Sequence, residues 1–450
     1  MRLSSATLEC LPARVERFAY DRDAQAIGIV HFGIGAFHRA HQAWYTDLAM
    51  DRGDRDWAIC GVSLRSDAVS RQLAPQDGLY TVTTRSTGEE AIRVVGAVRE
   101  VLFAGDDSAA IVDRIAAPEC RIVSFTVTEK GYCRTGDGHL DFDQAKASFF
   151  PLLGRALARR AKEGLPGLTL LSCDNLANNG AVLSRLTREW LAERDPQALD
   201  WYEKNCTSPS SMVDRIVPRT TQGDLERFER RSGLTDDGAV FTESFSKWVI
   251  EDRFANGHPR WKTVGAQLVL DVAPHETAKL RMLNGAHSLI AYKGLAAGFD
   301  FVHEAIADTR IAMLVSDLML EEALPTIDAS PSQNLEKYAE ELIARFANPA
   351  LRHRLSQIAM DGSQKLPQRW LETALWHLEK GHETPAIREG FDAWHAYCAY
   401  SPEVDDPAKD RLVRAARTGK RQVFLDLCFG SRGEDNALWP EFSMVGEYFG

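Results

Sequence analysis

Three residues in one segment have the types and the spacing for proton chemistry on an alcohol. In "HETAKLRMLNGAHSLIAYKG", Lys279, Asn284 and His287 stand at i, i+5 and i+8. At about 100° per residue they lie at roughly 0°, 140° and 80°, within one side of an α-helix. Removing a hydride from a secondary alcohol needs a base for the hydroxyl proton and donors for the oxyanion that develops. A lysine is such a base when burial lowers its pKa. An asparagine amide donates to the oxygen, and a histidine hydrogen-bonds the substrate or the lysine. A second stretch, "LLSCDNLANNG", ends an apolar run in amides, and its Asn175 is a further candidate donor. Each feature also has a plainer reading. The helix can be amphipathic with a surface lysine and a satisfied histidine, and Asp–Asn pairs form turns.

A second constellation points to a dinucleotide. The run Ile27–Phe32 leads directly into "HFGIGAFHRAHQAWYTD". Gly33 and Gly35 give a G-x-G turn, the first for its tightness and the second for close approach of backbone to a pyrophosphate at a helix start. His38 stands where a third glycine is usual. Phe37, His38 and Arg39 complete the candidate cofactor contacts in this loop. Asp67 of "GVSLRSD" is the candidate acid for the ribose hydroxyls, although it comes later than the usual spacing and requires a long intervening helix. Arg65 beside it suits a 2′-phosphate. NAD is favoured, with NADP as the alternative.

These residues require a particular scaffold. Ile27–Phe32, Trp57–Leu64, Arg121–Thr128 and Leu168–Cys173 read as buried strands alternating with amphipathic segments, the pattern of βαβ units and a parallel sheet. Tyr80–Thr84 and Ile92–Val98, about a Gly88 turn, read as a hairpin added to that sheet. From about Pro274 onward apolar residues recur at helical spacing, in Glu276–Gly294, Ile306–Glu322, Leu335–Phe346, Pro367–Glu379 and Ile387–Tyr400. The fold class expected is α/β: a Rossmann-type, mainly parallel-sheet domain over 1–272, followed by a mostly α-helical substrate and catalytic domain over 273–450. A ligand cleft is expected where the two meet, at the C-terminal ends of the strands.

Composition narrows the function further. Hydrophobic residues make up 44% and charged residues 26%, as in ordinary globular chains, and the net charge of −11 argues against a nucleic-acid partner. No apolar run is long enough to cross a bilayer, and residues 1–20 lack the apolar core of a signal peptide. The eight cysteines are scattered with no C-x-x-C pair, which suits a reducing cytoplasm and excludes a zinc ribbon. None of the ten tyrosines has a lysine four residues on, so the Tyr-x-x-x-Lys type of dehydrogenase does not fit. His38 and His41 lack an obvious third ligand, and no metal is expected.

Taken together, the segments "GIGAFHRAHQAWYTD", "SFTVTEKGYC", "LSCDNLANNG", "SMVDRIVP", "KWVIEDRFANGHPRW", "KLRMLNGAHSLIAYKG" and "RFANPALRHRLSQIAMDGSQKLPQRW" resemble the polyol-specific long-chain dehydrogenases, the mannitol dehydrogenase family. They run from Gly33 to Trp370 in the family's order, and Lys-x4-Asn-x2-His is specific to it. The resemblance implies a zinc-independent, often monomeric enzyme. It implies Lys279 as general base, Asn175 and Asn284 as the amides that polarise the reacting oxygen, and His287 as the residue that positions substrate and lysine. Asp214 and Lys365 match substrate-binding positions. Thr128 and Glu129, of "TVTEKGY", fall at the cofactor side, and Glu129 matches an acid thought to govern proton passage from the lysine. The chain departs from the family at Ser244 and Lys247 of "ESFSKWV", in a shortened stretch after Asp143, and in the tail beyond Trp394.

Two substrate classes stay open. "LRMLNGAHS" and the region from Arg345 to Arg369 look more like fructuronate-type reductases, for which Lys365, Arg352 and Arg354 are candidate carboxylate partners. "WAICGVSLRSD" and "AWYTD" look more like mannitol- and arabinitol-type dehydrogenases, which recognise neutral hydroxyls. A different class, a nicotinamide-binding sensor without catalysis, is disfavoured by the complete Lys–Asn–His set. The expected partners are therefore a small sugar alcohol, keto sugar or keto sugar acid, with neither nucleic acid nor membrane.

Overall fold

The computed structural model describes residues 1–86, 89–331, 333–430 and 437–450. The chain forms two compact units, Met1–Val272 and Ala273–Gly450.

The first unit is built on five strands: β1 (Ile27–Phe32), β2 (Ala58–Ser63), β3 (Val98–Phe103), β4 (Ile122–Phe125) and β5 (Thr169–Ser172). Every pairing between them is parallel, and their order is β3-β2-β1-β4-β5. This is the Rossmann-type order, whose reversal lies beside β1. The strands read as nearly unbroken apolar runs because helices cover both faces of the sheet. On one face Phe32, Phe125 and Phe149 interlock, with ring centroids 5.6 and 4.8 Å apart along the series. Helices Ser108–Ala116 and Phe150–Glu163 cover this side. The buried Arg160 joins them by donating to the Ile115, Ala117 and Pro166 carbonyls. All eight cysteines are unpaired, and six are buried.

Two expectations need correction here. The hairpin exists, as antiparallel Tyr80–Ser86 and Glu89–Val95, but it is not added to the parallel sheet. It belongs to a separate four-stranded sheet with Val15–Glu16 and Val240–Glu243, and its Gly88 turn lies outside the described residues. The apolar run Ile92–Val98 is also two elements. It breaks at Gly96, where a Cβ would strike the Phe18 ring at 2.4–2.7 Å, and Val98 opens β3 in the parallel sheet. A third sheet orders Gln267–Val269, Lys247–Glu251 and Ser211–Asp214.

The second unit is helical. Its axis is one continuous helical run: Ala273–Ala278, a π turn Lys279–Asn284, then Gly285–Ala296. The last segment is buried nearly all round, so it carries little amphipathic pattern. It packs against Val302–Ile306, Leu355–Ile358 and Pro385–Tyr400. Gly294 lets two of these approach, because a Cβ there would meet Leu355 at 2.6 Å and Ala305 at 2.8 Å. The tail beyond Trp394 is part of this core. Phe424, Phe429 and Phe449 surround Phe391, and Trp439 lies 5.5 Å from Trp394. No helix among the described residues is long and apolar enough to cross a membrane.

Candidate active site

In the first unit the candidate residues gather at the C-terminal ends of β1, β4 and β5. Gly33 turns the chain with φ +97°, and its N–H donates to the Val62 carbonyl at 2.8 Å. A Cβ at Gly33 would run into the Thr126 carbonyl. Gly35 is different. Its φ is an ordinary −85°, it is exposed, and a Cβ there would meet nothing nearer than the Gly33 oxygen at 3.8 Å. The fold demands a glycine at 33 and leaves open space at 35.

The helix that follows is short, Ala36–Ala40, and a break at His41 separates it from Gln42–Asp51. This break shapes the loop side chains. The His38 ring is fully buried, stacked on His31 of β1 with centroids 3.4 Å apart. Arg39 is buried too, donating to the Gly238 carbonyl at 2.5 Å. Both were expected to meet a cofactor, and the structure turns both side chains inward, where they hold the loop. Phe37 stays half-buried against His41. Burial lowers His31 to about 3, so it is neutral. Its Nε2 pairs with Thr126 Oγ1 at 2.8 Å, and its Nδ1 with Ser124 Oγ at 2.8 Å. Asp67 lies four residues past the end of β2, at the start of helix Ala68–Leu73, and pairs with Arg71 at 2.9 Å.

Asp174, which the sequence reading passed over, joins the next two strand ends. Its buried carboxylate accepts from the Val127 and Thr128 amides at 3.0 and 2.9 Å and from the Tyr132 hydroxyl at 3.0 Å. Burial pushes this carboxyl up, with the Glu129 charge adding to the effect, while the three donors oppose it. Thr128 is held at φ +66°, and Thr128 and Glu129 are exposed. Asn175, the next residue after Asp174, is exposed at the end of β5. Asn179 extends the seam by donating to the Asp174 and Ser211 carbonyls at 3.0 and 2.7 Å. Strand Ser211–Asp214 thereby follows β5, with Asp214 buried at its end. Gly33, Thr128, Glu129, Asn175 and Asp214 are thus linked by one set of hydrogen bonds and short connections. The visible signal for Asp174 was an acid beside the amides of "CDNLANN".

In the second unit the geometry differs from the α-helix expected for Lys279, Asn284 and His287. The segment is a π turn, with hydrogen bonding from i to i+5. Lys279 and Asn284, five apart, therefore stand one turn above each other rather than about 140° apart. His287 follows within the next α turn. Lys279 and His287 are buried and Asn284 is half-buried. The His287 ring packs against Phe346 at 4.8 Å and edge-on to His353 at 5.4 Å. Its Nε2 has no hydrogen-bond partner among the described residues. Burial, then His353, Arg345, Arg369 and Lys279, hold its pKa well below the usual histidine range, so the ring is uncharged.

The cations sort themselves. Lys365 donates to the Met360 carbonyl at 2.6 Å and lies 3.5 Å from Asp361; burial and then the neighbouring Arg369 lower its pKa. Arg369 donates to Ser288 Oγ at 2.8 Å. Arg352 and Arg354 do not join this group. Both are exposed, with their guanidinium carbons 4.5 and 5.3 Å from the centre of the Phe301 ring. Residues 352–354 are extended, so His353 points the other way, toward His287. Arg345 and Arg369 are the arginines beside His287, and neither was singled out from the sequence. Among the described residues, no group of three or more His, Cys, Asp or Glu is arranged to hold a metal ion.

Comparison with known proteins bears on the family of both units. The model of the mannitol dehydrogenase Rossmann domain matches residues 27–263, and that of the mannitol dehydrogenase C-terminal domain matches 271–425. D-mannonate oxidoreductase of Escherichia coli is 40% identical, covering 85% of this chain and 82% of its own. Mannitol 2-dehydrogenase of Pyricularia oryzae is 37% identical, covering 93% and 89%. A solved ternary complex of Pseudomonas fluorescens mannitol 2-dehydrogenase with NAD and D-mannitol is 32% identical, covers 100% of this chain and 96% of its own, and superposes with a TM-score of 0.85. A parallel sheet with a G-x-G turn, a helical unit carrying Lys-x4-Asn-x2-His, and matches across both units leave one assignment: the chain belongs to the mannitol dehydrogenase family.

Proposed function

We propose that this chain is an NAD-dependent oxidoreductase that interconverts a secondary alcohol of a polyol or aldonate with the corresponding ketone. The observation that carries the reading is the π turn that stacks Lys279 over Asn284, with an uncharged His287 one turn further on. Such turns are rare, and they are frequent at functional sites. The relative solved with NAD and D-mannitol supports the cofactor and the substrate type. The first unit fits a dinucleotide, because Gly35 is exposed, unstrained and clear of its neighbours. Backbone at Gly33–Gly35 would hold the pyrophosphate, and Asp67 the ribose hydroxyls. When bound, the nicotinamide supplies the hydride acceptor for oxidation and the donor for reduction.

The remaining chemistry belongs to side chains. Lys279, as the free amine, accepts the hydroxyl proton in oxidation and returns it in reduction. Asn284 and Asn175 donate amide N–H groups to the oxygen as it becomes an alkoxide. His287 offers Nε2 to the substrate, and Asp214 and Lys365 engage hydroxyls further along the chain. We assign no metal to the reaction, since proton acceptor and oxyanion donors are all present as side chains. Lys279→Ala should lower turnover by about 10²–10⁴-fold, with the NADH dissociation constant, followed by fluorescence, changed by no more than about threefold. Near-wild-type turnover would refute the assignment. NADH binding without turnover of any polyol, keto sugar or keto acid would put a sensor role first.

A further inference from the structure

The cations of the helical unit are not treated alike. Arg281, on the π turn, is held by the Thr326 carbonyl at 2.8 Å and by Glu372 at 3.1 Å. Lys293, on the same helix, pairs with Glu389 at 2.8 Å. Lys365 has Asp361. Among the described residues, Arg369, on the π turn Pro367–Leu371, makes one side-chain hydrogen bond, to the Ser288 hydroxyl, and has no carboxylate within 4 Å. The residue is half-buried, and burial pulls its guanidinium down to about 10, with Tyr292 and then Asp361 opposing the shift. A partly desolvated guanidinium with no carboxylate in direct contact is costly, and an anion arriving beside it offsets that cost.

Its position says where the anion would lie. Ser288 is the next residue after His287, and the His287 Nε2 has no hydrogen-bond partner among the described residues. Arg345, Arg369 and Lys279 all act electrostatically on the His287 ring. Arg369 is therefore one of the cations that face this ring, and Asp361 is the carboxylate that acts on it from a distance. A neutral hydroxyl gains less from Arg369 than a carboxylate does, because the carboxylate brings charge and a second acceptor to the guanidinium. Ser288 fixes one edge of the planar fork and leaves other N–H groups of Arg369 for two-point recognition.

We propose that Arg369 recognises a substrate carboxylate, so that the chain acts on sugar acids in preference to neutral polyols and ketoses. This rests on the oxidoreductase reading above and names its substrate class. Arg352 and Arg354, which lean on Phe301, take no part.

The test compares fructuronate with fructose, with NADH as reductant. Wild-type kcat/KM should favour the keto acid by at least about a hundredfold. Arg369→Gln should lose about a hundredfold or more on the acid and less than about threefold on the ketose, and Arg369→Lys should recover part of the loss. Arg352→Ala and Arg354→Ala should stay within about twofold of wild type. Should Arg369→Gln fail to fold, Ser288→Ala serves instead, raising KM for the acid alone. A wild-type preference for fructose, or an equal loss on both substrates, would overturn the proposal. If neither these nor any other polyol, keto sugar or keto acid turns over, the oxidoreductase reading has failed, and binding decides this one: mannonate should raise the melting temperature where mannitol does not. Equal shifts from the two ligands would overturn it.

Discussion

Glu322 allows a quantitative test of how the helical unit is held together. It lies in the π turn Leu318–Ala323 and is 3% exposed. Its two carboxyl oxygens accept from the Ala386 and Ile387 amides at 2.6 and 2.9 Å, the open N–H groups at the start of helix Pro385–Tyr400. Burial pushes its pKa from the ordinary 4.5 up to about 7, with Asp317 adding to the shift and the two amides opposing it. The folded chain therefore keeps this proton in a range where the unfolded chain has released it. Such a group contributes stability that is complete below about pH 4.5 and is lost as pH rises through about 7. The interval from 4.5 to about 7, at about 1.36 kcal/mol per pH unit, amounts to about 3 kcal/mol. Glu322→Gln cannot titrate and lacks this slope. Urea unfolding of both proteins at pH 5, 6, 7 and 8 reads the effect directly. The advantage of wild type over the variant should shrink by most of that figure between pH 5 and 8, even to the point of reversing sign. A difference that stays constant within about 0.5 kcal/mol over this range would refute the reasoning, because it would mean that Glu322 ionises alike in both states.

Three further outcomes are expected. Gly33→Ala should cost at least about 2 kcal/mol and abolish NADH binding, since a positive φ and the Thr126 carbonyl both oppose the new methyl. Gly35→Ala should leave the melting temperature within about 2 °C of wild type yet weaken NADH by about tenfold or more; unchanged affinity would remove the pyrophosphate from this loop. Asp406→Ala strips the partners from the Ser363 amide and hydroxyl, now at 2.8 and 2.6 Å. It should cost about 1–3 kcal/mol in thermal unfolding and, because Lys365 is two residues on, raise KM more than it lowers kcat.

Much of the scaffold could be read from the chain because local and global signals agree there. β1 is an apolar run closed by a glycine that no other residue can replace, and helix Leu335–Phe346 begins on Asn334, whose side chain caps the Lys337 amide at 2.7 Å. The structure departs from the expectation where distant contacts decide. Ile92–Val98 looks like one strand until the Phe18 ring breaks it at Gly96. Arg352 and Arg354 have the right charge for a carboxylate, but two-residue alternation sends both to Phe301 and His353 to the site. His38 and Arg39 sit in the right loop, and a break at His41 turns them inward. The π turn is illegible for another reason, since no residue type prefers i+5 to i+4 bonding strongly enough to mark it. The Lys-x4-Asn spacing was its one trace, and an α-helical wheel spreads that pair over one side of the helix without marking the turn.

The π turn Lys279–Asn284 also changes how the chain can vary. It lies against two others, Leu318–Ala323 and Pro367–Leu371, and each holds one residue more than the α turn it replaces. Such a surplus residue resets helical phase. Everything from Gly285 onward is indexed about 100° away from where an unbroken α-helix would carry it. Losing one residue between 280 and 283 would heal the helix, yet rotate either the lysine or the whole packed face of Leu289 and Ile290 by more than a quarter turn. Length at this point is thus fixed to the single residue, while substitutions of like size remain open to it. Insertions and deletions in this chain should be found in its loops and never within this helix.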